Sequence, residues 1–187
     1  MPSTKREQLV DTAIDLFYRD GFHATGIDKI LTESGVAKMT LYKHFKSKDE
    51  LILAALRKRD EIFRNMFMQG VESRAKEPRK QLLAIFDTLD EWFGTRDFSG
   101  CMFINAAAEF PEAESPIHVI CAENKRLVVK YITDLAEKAG FKNPDLLGQG
   151  LTLLMEGAVV MYYVGNQKDA AMQAKKSAEQ LLKAAEL

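Results

Sequence analysis

Hydrophobic residues along the chain recur mainly at helical spacing. An apolar face marks the first predicted helix, and Gly21 is its expected end. The positions that form this face are Leu9, Ala13, Leu16 and Phe17. The sequence shows no run of period-two alternation bounded by turn clusters, which is the pattern typical of strands. An all-α fold is therefore predicted.

Capping and helix-breaking residues divide the chain into nine predicted helices. Thr25 with Asp28, and Ser47 with Glu50, have the spacing of capping boxes, and Gly35 ends the second helix. The first helix ends near residue 20, and the others cover about 27–34, 37–45, 48–73, 82–93, 101–110, 117–139, 144–164 and 168–185.

Composition narrows the class of protein. The 187 residues are 47% hydrophobic and 28% charged, which excludes disorder and predicts a core that needs no disulfide or metal. The apolar stretch 151–164 is shorter than the roughly 20 residues of a membrane span, and the N-terminus lacks a signal-peptide pattern. With only two cysteines, we expect a soluble cytoplasmic protein.

The charge pattern points to a local nucleic-acid site. The net charge is −1, yet residues 38–48 contain four lysines and no acidic residue. Helices 27–34 and 37–45, joined at Gly35, fit a helix-turn-helix whose second helix exposes Lys38, Thr40, Lys43 and His44. Lysines neutralise phosphates or donate to guanine, and hydroxyls bond phosphate oxygens. The alternative is a solvated lysine face on an ordinary helical hairpin.

The segment TGIDKILTESGVAKMTLYKHFKSKDELILAAL resembles the DNA-binding signature of the TetR/AcrR family of bacterial transcriptional regulators. The resemblance implies phosphate contacts by Thr25, Tyr42 and Lys48. It also implies that the residues facing the groove are Lys38, Thr40, Lys43 and His44. Two positions depart from the family pattern: Ala37 replaces a frequent serine cap, and Met39 replaces a frequent glycine.

The resemblance also implies the remaining organisation. Residues 1–47 would bind operator DNA, 48–73 would be a connecting helix, and 74–187 would bind an effector and dimerise. A homodimer through residues 145–185 would form a four-helix bundle, and a small-molecule effector would shift the connecting helix and release a repressor. The apolar positions that agree are Leu151, Leu154, Ala158, Tyr162 and the alanine face of 170–185, although they could instead fill an intramolecular core.

Cys101 is a candidate sensor of electrophiles or oxidants. It follows Gly100 at the start of a predicted helix, where backbone N–H groups stabilise a thiolate. The Gly–Cys pair also resembles many family members. The alternative is that Cys101 is a small buried hydrophobic residue.

Polar groups on otherwise apolar helices suggest an effector pocket. The candidate lining residues are Trp92, Phe93, Phe103, Asn105, Glu109, Glu156 and Tyr162. The polar members could equally be hydrogen-bonded within the core.

Catalysis and metal binding find little support in the sequence. We expect no metal site, since Glu114, His118 and Cys121 share helical spacing but Pro116 separates the first from the helix. No motif calls for a cofactor or a catalytic residue, so an enzyme and a helical interaction protein without DNA binding are the alternative classes.

Overall fold

The computed structural model describes residues 4–185, and this range forms nine α-helices without a strand. The helices are α1 (Lys5–Asp20), α2 (Ile27–Ser34), α3 (Lys38–His44), α4 (Lys48–Arg74), α5 (Pro78–Phe93), α6 (Met102–Glu109), α7 (Pro116–Lys138), α8 (Pro144–Tyr163) and α9 (Ala170–Ala184). The all-α prediction is confirmed. The largest difference is at α5, which begins at Pro78, four positions before the apolar stripe, because proline suits the first turn of a helix.

The helix caps agree only partly with the predicted capping boxes. Ser47 Oγ accepts the N–H of Glu50 at 3.2 Å, as predicted, but the Glu50 carboxylate accepts the N–H of Lys46 at 2.8 Å rather than that of Ser47. The capping box predicted for Thr25 and Asp28 is wrong. Gly26 occupies the N-cap position of α2 without a side-chain hydrogen bond.

The chain divides into two compact units. The first contains the residues up to Ile62 together with Cys101–Asn124, and the second contains Phe63–Gly100 and the residues from Lys125 onward. Helix α4 is continuous through position 62, and α7 is continuous through position 124. The functional division at residues 47 and 73 stays a prediction.

The first unit has one hydrophobic core to which α1, α2, α3 and α6 all contribute. Phe17 and Phe22 stack with ring centroids 5.1 Å apart, and Leu41 of α3 is fully buried beside this cluster. Met102, Phe103 and the other apolar residues of α6 belong to the same core although they lie some 60 positions later. Helix α3 is thus held by residues from distant parts of the sequence.

In the second unit α8 packs against α9, and α5 packs against both helices. Two ion pairs join its helices: Lys125 Nζ lies 2.7 Å from Glu156, and Lys175 Nζ lies 2.7 Å from Asp87. Helices α7 and α8 approach closely at Gly148, where a Cβ atom would lie 2.2 Å from Thr133 Oγ1. This approach requires glycine at that position.

The alanine face of α9 is largely buried within its own unit, which agrees with the alternative that these residues fill an intramolecular core. The place of this face in a dimer interface stays a prediction. The buried members are Ala170, Ala171, Ala174 and Ala178. Small side chains let α9 lie close to α8 within the unit. The large apolar side chains that α8 and its C-cap residue leave exposed are Leu146, Leu153, Val160, Met161, Tyr163 and Val164.

No helix in the described part of the chain is long and apolar enough to cross a membrane.

Candidate DNA-binding interface

The turn between α2 and α3 depends on Gly35. Its φ of 63° lies in the left-handed region, and its N–H closes α2 by donating to the carbonyl of Leu31 at 3.0 Å. Val36 follows and is buried, and Ala37 becomes the N-cap of α3. The predicted helix-turn-helix geometry is therefore present at the predicted positions.

The outward face of α3 follows from the position of Leu41. Because Leu41 is fully buried and each residue turns an α-helix by about 100°, Met39 and Lys43 lie about 160° from it. These two residues therefore occupy the centre of the exposed face. Lys38 and Tyr42 flank them on one side, and Thr40 and His44 flank them on the other.

The predicted groove-facing residues are accessible to different degrees. Lys38, Lys43 and His44 are exposed, whereas Thr40 is half-buried. Lys38 Nζ lies 3.7 Å from Asp28 Oδ1 of α2, but both side chains are largely exposed and such pairs are weak in water. A phosphate can therefore displace this carboxylate at small cost.

Two of the predicted phosphate contacts, Tyr42 and Lys48, are both at least partly accessible. Tyr42 is 47% exposed, and Lys48 is the first residue of α4. The Lys48 ammonium donates to the carbonyl of His23 at 3.5 Å. Partial burial lowers the pKa of Lys48, while the nearby Glu109 carboxylate acts in the opposite direction.

Thr25 does not present its hydroxyl to solvent. The side chain is fully buried, and its Oγ1 donates to the carbonyl of Gly21 at 2.7 Å. Its single proton is used inside the fold, so in this conformation the side chain cannot make the predicted phosphate contact. The hydroxyl of Thr25 thus stabilises the fold by its hydrogen bond to Gly21.

Arg6 is a charged neighbour that the sequence pattern did not identify. Its guanidinium lies 5.2 Å from the centroid of the Phe45 ring, at the end of α3. Arg6 is on α1, 39 positions before Phe45 in the sequence, so only the packing of α1 brings it there. A positive charge close to an exposed helix end favours phosphate.

Glu109 supports the loop between α1 and α2. Its carboxylate accepts the backbone N–H groups of Phe22 and His23 at 2.8 and 2.6 Å, and the ring Nε2 of His23 donates to the Glu109 carbonyl at 2.8 Å. A Cβ at Gly21 would lie 3.1 Å from the same carboxylate. Glu109 was predicted as a pocket residue, but the structure uses its carboxylate to hold this loop.

The other predicted pocket residues are divided between the two units. Phe103 is buried in the core of the first unit, and Asn105 also lies in that unit. Glu156 is in the second unit and is paired with Lys125. The predicted set therefore does not form a single group within either unit.

Three of the predicted pocket residues do come together in the second unit. Phe93 lies 5.8 Å from Trp92 and 4.6 Å from Tyr162 between ring centroids. Trp92 also lines a cleft of about 480 Å³ between α4 and α5. The other lining residues are Met66, Gln69, Gly70, Ser73, Arg74, Thr88, Glu91 and Thr95.

Cys101 occupies the N-cap position of α6 and is half-buried, whereas Cys121 is buried. The glycine before Cys101 has a conformational reason. Gly100 has φ 78°, and a Cβ there would lie 2.8 Å from the Tyr163 ring.

Comparison with known proteins agrees with this geometry. Residues 9–55 match the family model described as bacterial regulatory proteins, tetR family. The chain superposes on a TetR-family transcriptional regulator from Streptomyces coelicolor with a TM-score of 0.89 and 28% identity, covering 97% of this chain and 95% of the other.

Two relatives of known regulatory direction match different shares of the chain. The transcriptional repressor NemR of Escherichia coli is 24% identical over 171 residues, which is 91% of this chain and 83% of NemR. The transcriptional activator FasR of Mycolicibacterium smegmatis is 46% identical over 54 residues, which is 29% of this chain and 25% of FasR. With its helix-turn-helix and nine-helix fold, the chain belongs to the TetR/AcrR family of bacterial transcriptional regulators.

Proposed function

We propose that this protein is a homodimeric repressor that a small-molecule effector releases from its operator. One observation carries the direction of regulation. The likeness to a repressor extends over most of the chain, whereas the likeness to an activator is limited to 54 residues. The match to the repressor therefore includes most of residues 74–187, which are predicted to bind the effector.

On DNA, we assign different tasks to the exposed side chains of the helix-turn-helix. Tyr42 and Lys48 would contact phosphates, because a hydroxyl and an ammonium group can donate hydrogen bonds to the phosphate oxygens of the DNA backbone. The groove-facing side chains would be Lys38, Thr40, Lys43 and His44. Among these, Lys43 has the central position and is therefore the first candidate for a base contact.

The dimer would form through the face of α8 that is exposed in the single subunit. Leu153 is 74% exposed and Val164 is 76% exposed, and Gly157 between them has open space beside its Cα atom. Burial of a continuous apolar stripe against an equal stripe on a partner removes apolar surface from water and therefore lowers the free energy. A twofold pair through α8 keeps the interface within the predicted residues 145–185 and replaces the alanine face as its centre.

A shallow groove beside this stripe supports the same interface. It is lined by Leu153, Gly157 and Met161 of α8 and by Gln173 and Ser177 of α9, among others. A ridge of side chains from a partner helix fits such a groove, as in other helix-on-helix contacts. Two helices from each subunit would then meet as a four-helix bundle.

The effector would enter the cleft beside Trp92. The indole and Met66 supply apolar surface, and Arg74 and Glu91 form an ion pair at the same cleft. The remaining lining is mostly polar, and apolar surface beside polar groups that fix orientation is a combination found in sites for small organic molecules. Helix α4 lines this cleft and begins at Lys48, so a ligand that displaced α4 would also disturb a proposed phosphate contact.

Cys101 offers a second way to receive a signal. It is the more accessible of the two cysteines, and it begins α6, the helix that ends at Glu109. An adduct on its thiol would disturb a short packed helix whose other end holds the α1–α2 loop. N-ethylmaleimide should then release wild-type protein and Cys121→Ser from DNA but not Cys101→Ser.

The decisive experiment begins with selection of bound duplexes from a random pool. The selected sequence is placed between a promoter and a reporter gene, with and without the protein. Reduced reporter expression supports a repressor, increased expression would show an activator, and binding without any change in expression would refute regulation by occlusion.

Trp92 provides a direct test of the effector cleft, because it is the only tryptophan of the chain. Compounds that release the protein from its operator should change the Trp92 emission over the same concentration range. Compounds that release the protein while the emission stays constant would place the effector elsewhere.

A further inference from the structure

Met39 is the most exposed large hydrophobic residue in the part of the chain that the structure describes. Its side chain is 84% exposed, whereas Leu41 two positions later is fully buried. An exposed methionine is unremarkable when it lies at random on a surface. Met39, however, lies with Lys43 at the centre of the exposed face of α3.

The surroundings of Met39 determine what could cover it. The neighbouring exposed side chains on α3 are polar or charged, and the following residues add Lys46 and Lys48 without an acidic residue between them. A protein partner that binds by apolar contact would find one methionine rather than a patch. Duplex DNA satisfies the positive charges and brings base edges against the centre of the helix.

The major groove contains one apolar group, the 5-methyl group of thymine. A methionine side chain is long, flexible and polarisable, so it can follow this methyl group without a fixed hydrogen-bond geometry. We propose that Met39 is a specificity-determining residue that recognises thymine by contact with its 5-methyl group. This inference rests on the proposed binding of α3 in the major groove of an operator.

The test replaces thymine by deoxyuridine, which removes the methyl group and leaves every hydrogen-bonding atom in place. Each thymine of the selected duplex is changed in turn, with its symmetry mate in the other half-site, and the Kd is measured for wild type and Met39→Ala. Burial of one methyl group is worth about 0.8 kcal/mol, which is about fourfold in Kd per half-site. At the contacted thymine, wild type should lose about this factor in each half-site, which is about sixteenfold for the symmetric replacement, and the Kd of Met39→Ala should not respond to the replacement.

Three further variants separate the methyl contact from general loss of binding. Met39→Leu should keep the sensitivity to deoxyuridine, and Met39→Gln, of similar length but polar, should lose it. Lys43→Ala should bind more weakly and yet remain sensitive. Since Met39 is exposed, these substitutions should leave the thermal unfolding midpoint unchanged.

The outcomes distinguish this inference from the proposed function. If a preferred sequence is selected but no thymine depends on Met39, the methyl contact is refuted and operator binding stands. If no sequence is preferred, the proposed function fails and this inference fails with it. A thymine whose replacement affects wild type and Met39→Leu but not Met39→Ala supports the assignment.

Discussion

Glu109 and His23 hold each other by two hydrogen bonds although 86 positions separate them in the sequence. The His23 N–H donates to the Glu109 carboxylate at 2.6 Å, and the His23 ring donates to the Glu109 carbonyl at 2.8 Å. The same loop supplies the carbonyl that Lys48 contacts. A residue of α6 thus supports the loop that precedes the helix-turn-helix.

Replacement of Glu109 should weaken both stability and DNA binding. Glu109→Ala leaves the N–H groups of Phe22 and His23 without their charged acceptor, which costs about 1–3 kcal/mol of unfolding free energy. Operator affinity should fall as well, because the loop beside Lys48 loses its support. Urea unfolding and fluorescence anisotropy measure the two effects.

Glu112→Ala is the matched control for Glu109→Ala, since Glu112 is an exposed glutamate of the same unit. Glu112→Ala should change neither the unfolding free energy nor the operator affinity. If the two variants had the same unfolding free energy and the same operator affinity, the Glu109 hydrogen bonds would contribute to neither.

Lys48→Ala should weaken binding to cognate and random duplexes alike. Loss of one phosphate contact should reduce the magnitude of the slope of log K against log salt by about 1. Lys80→Ala, an exposed lysine of the second unit, should leave the slope unchanged. An unaltered slope for Lys48→Ala would remove Lys48 from the phosphate contacts.

Charge substitutions should separate the dimer interface from the core. Leu153→Glu places a carboxylate on the exposed face of α8 and should yield a folded monomer by sedimentation, with loss of operator binding. Ala178→Glu places the charge at a fully buried position and should lower the unfolding free energy by several kcal/mol. The two variants should thus fail in different ways.

Val119→Glu is the control for Leu153→Glu. Val119 is 52% exposed on α7 in the first unit, so the same charge there should leave the dimer intact. A Leu153→Glu protein that remains dimeric would place the interface away from α8.

Tyr131 should tolerate loss of its hydroxyl. The oxygen is buried, and among the described residues it has no hydrogen-bond partner, so burial raises the pKa of Tyr131 to about 12. Tyr131→Phe removes a polar group that gains nothing in the folded state, and should therefore raise the unfolding free energy by about 1 kcal/mol.

Alkaline titration tests the same group. Since the folded pKa lies above the unfolded value of about 10, the unfolded state ionises first and stability falls as the pH rises from about 10 towards 12. Tyr131→Phe should lose less stability than wild type over this range. Identical pH dependence would show that the hydroxyl is hydrated in the folded protein.

The local pattern of the sequence determined the helices and the helix-turn-helix. Apolar spacing, Gly35 and the Ser47 cap are interactions between near neighbours, so residues a few positions apart suffice to predict them. The exposed lysines of α3 follow from the same periodicity.

Only tertiary packing decided which partner each of several residues has. Thr25 had the spacing of a cap, but its hydroxyl is drawn to the Gly21 carbonyl. The alanines of α9 could have faced a second subunit or their own, and the burial of four of them within their own unit is visible only in the folded chain. Glu109 bonds a loop 86 positions away, and such a contact leaves no periodic signal because its two partners lie on separate elements.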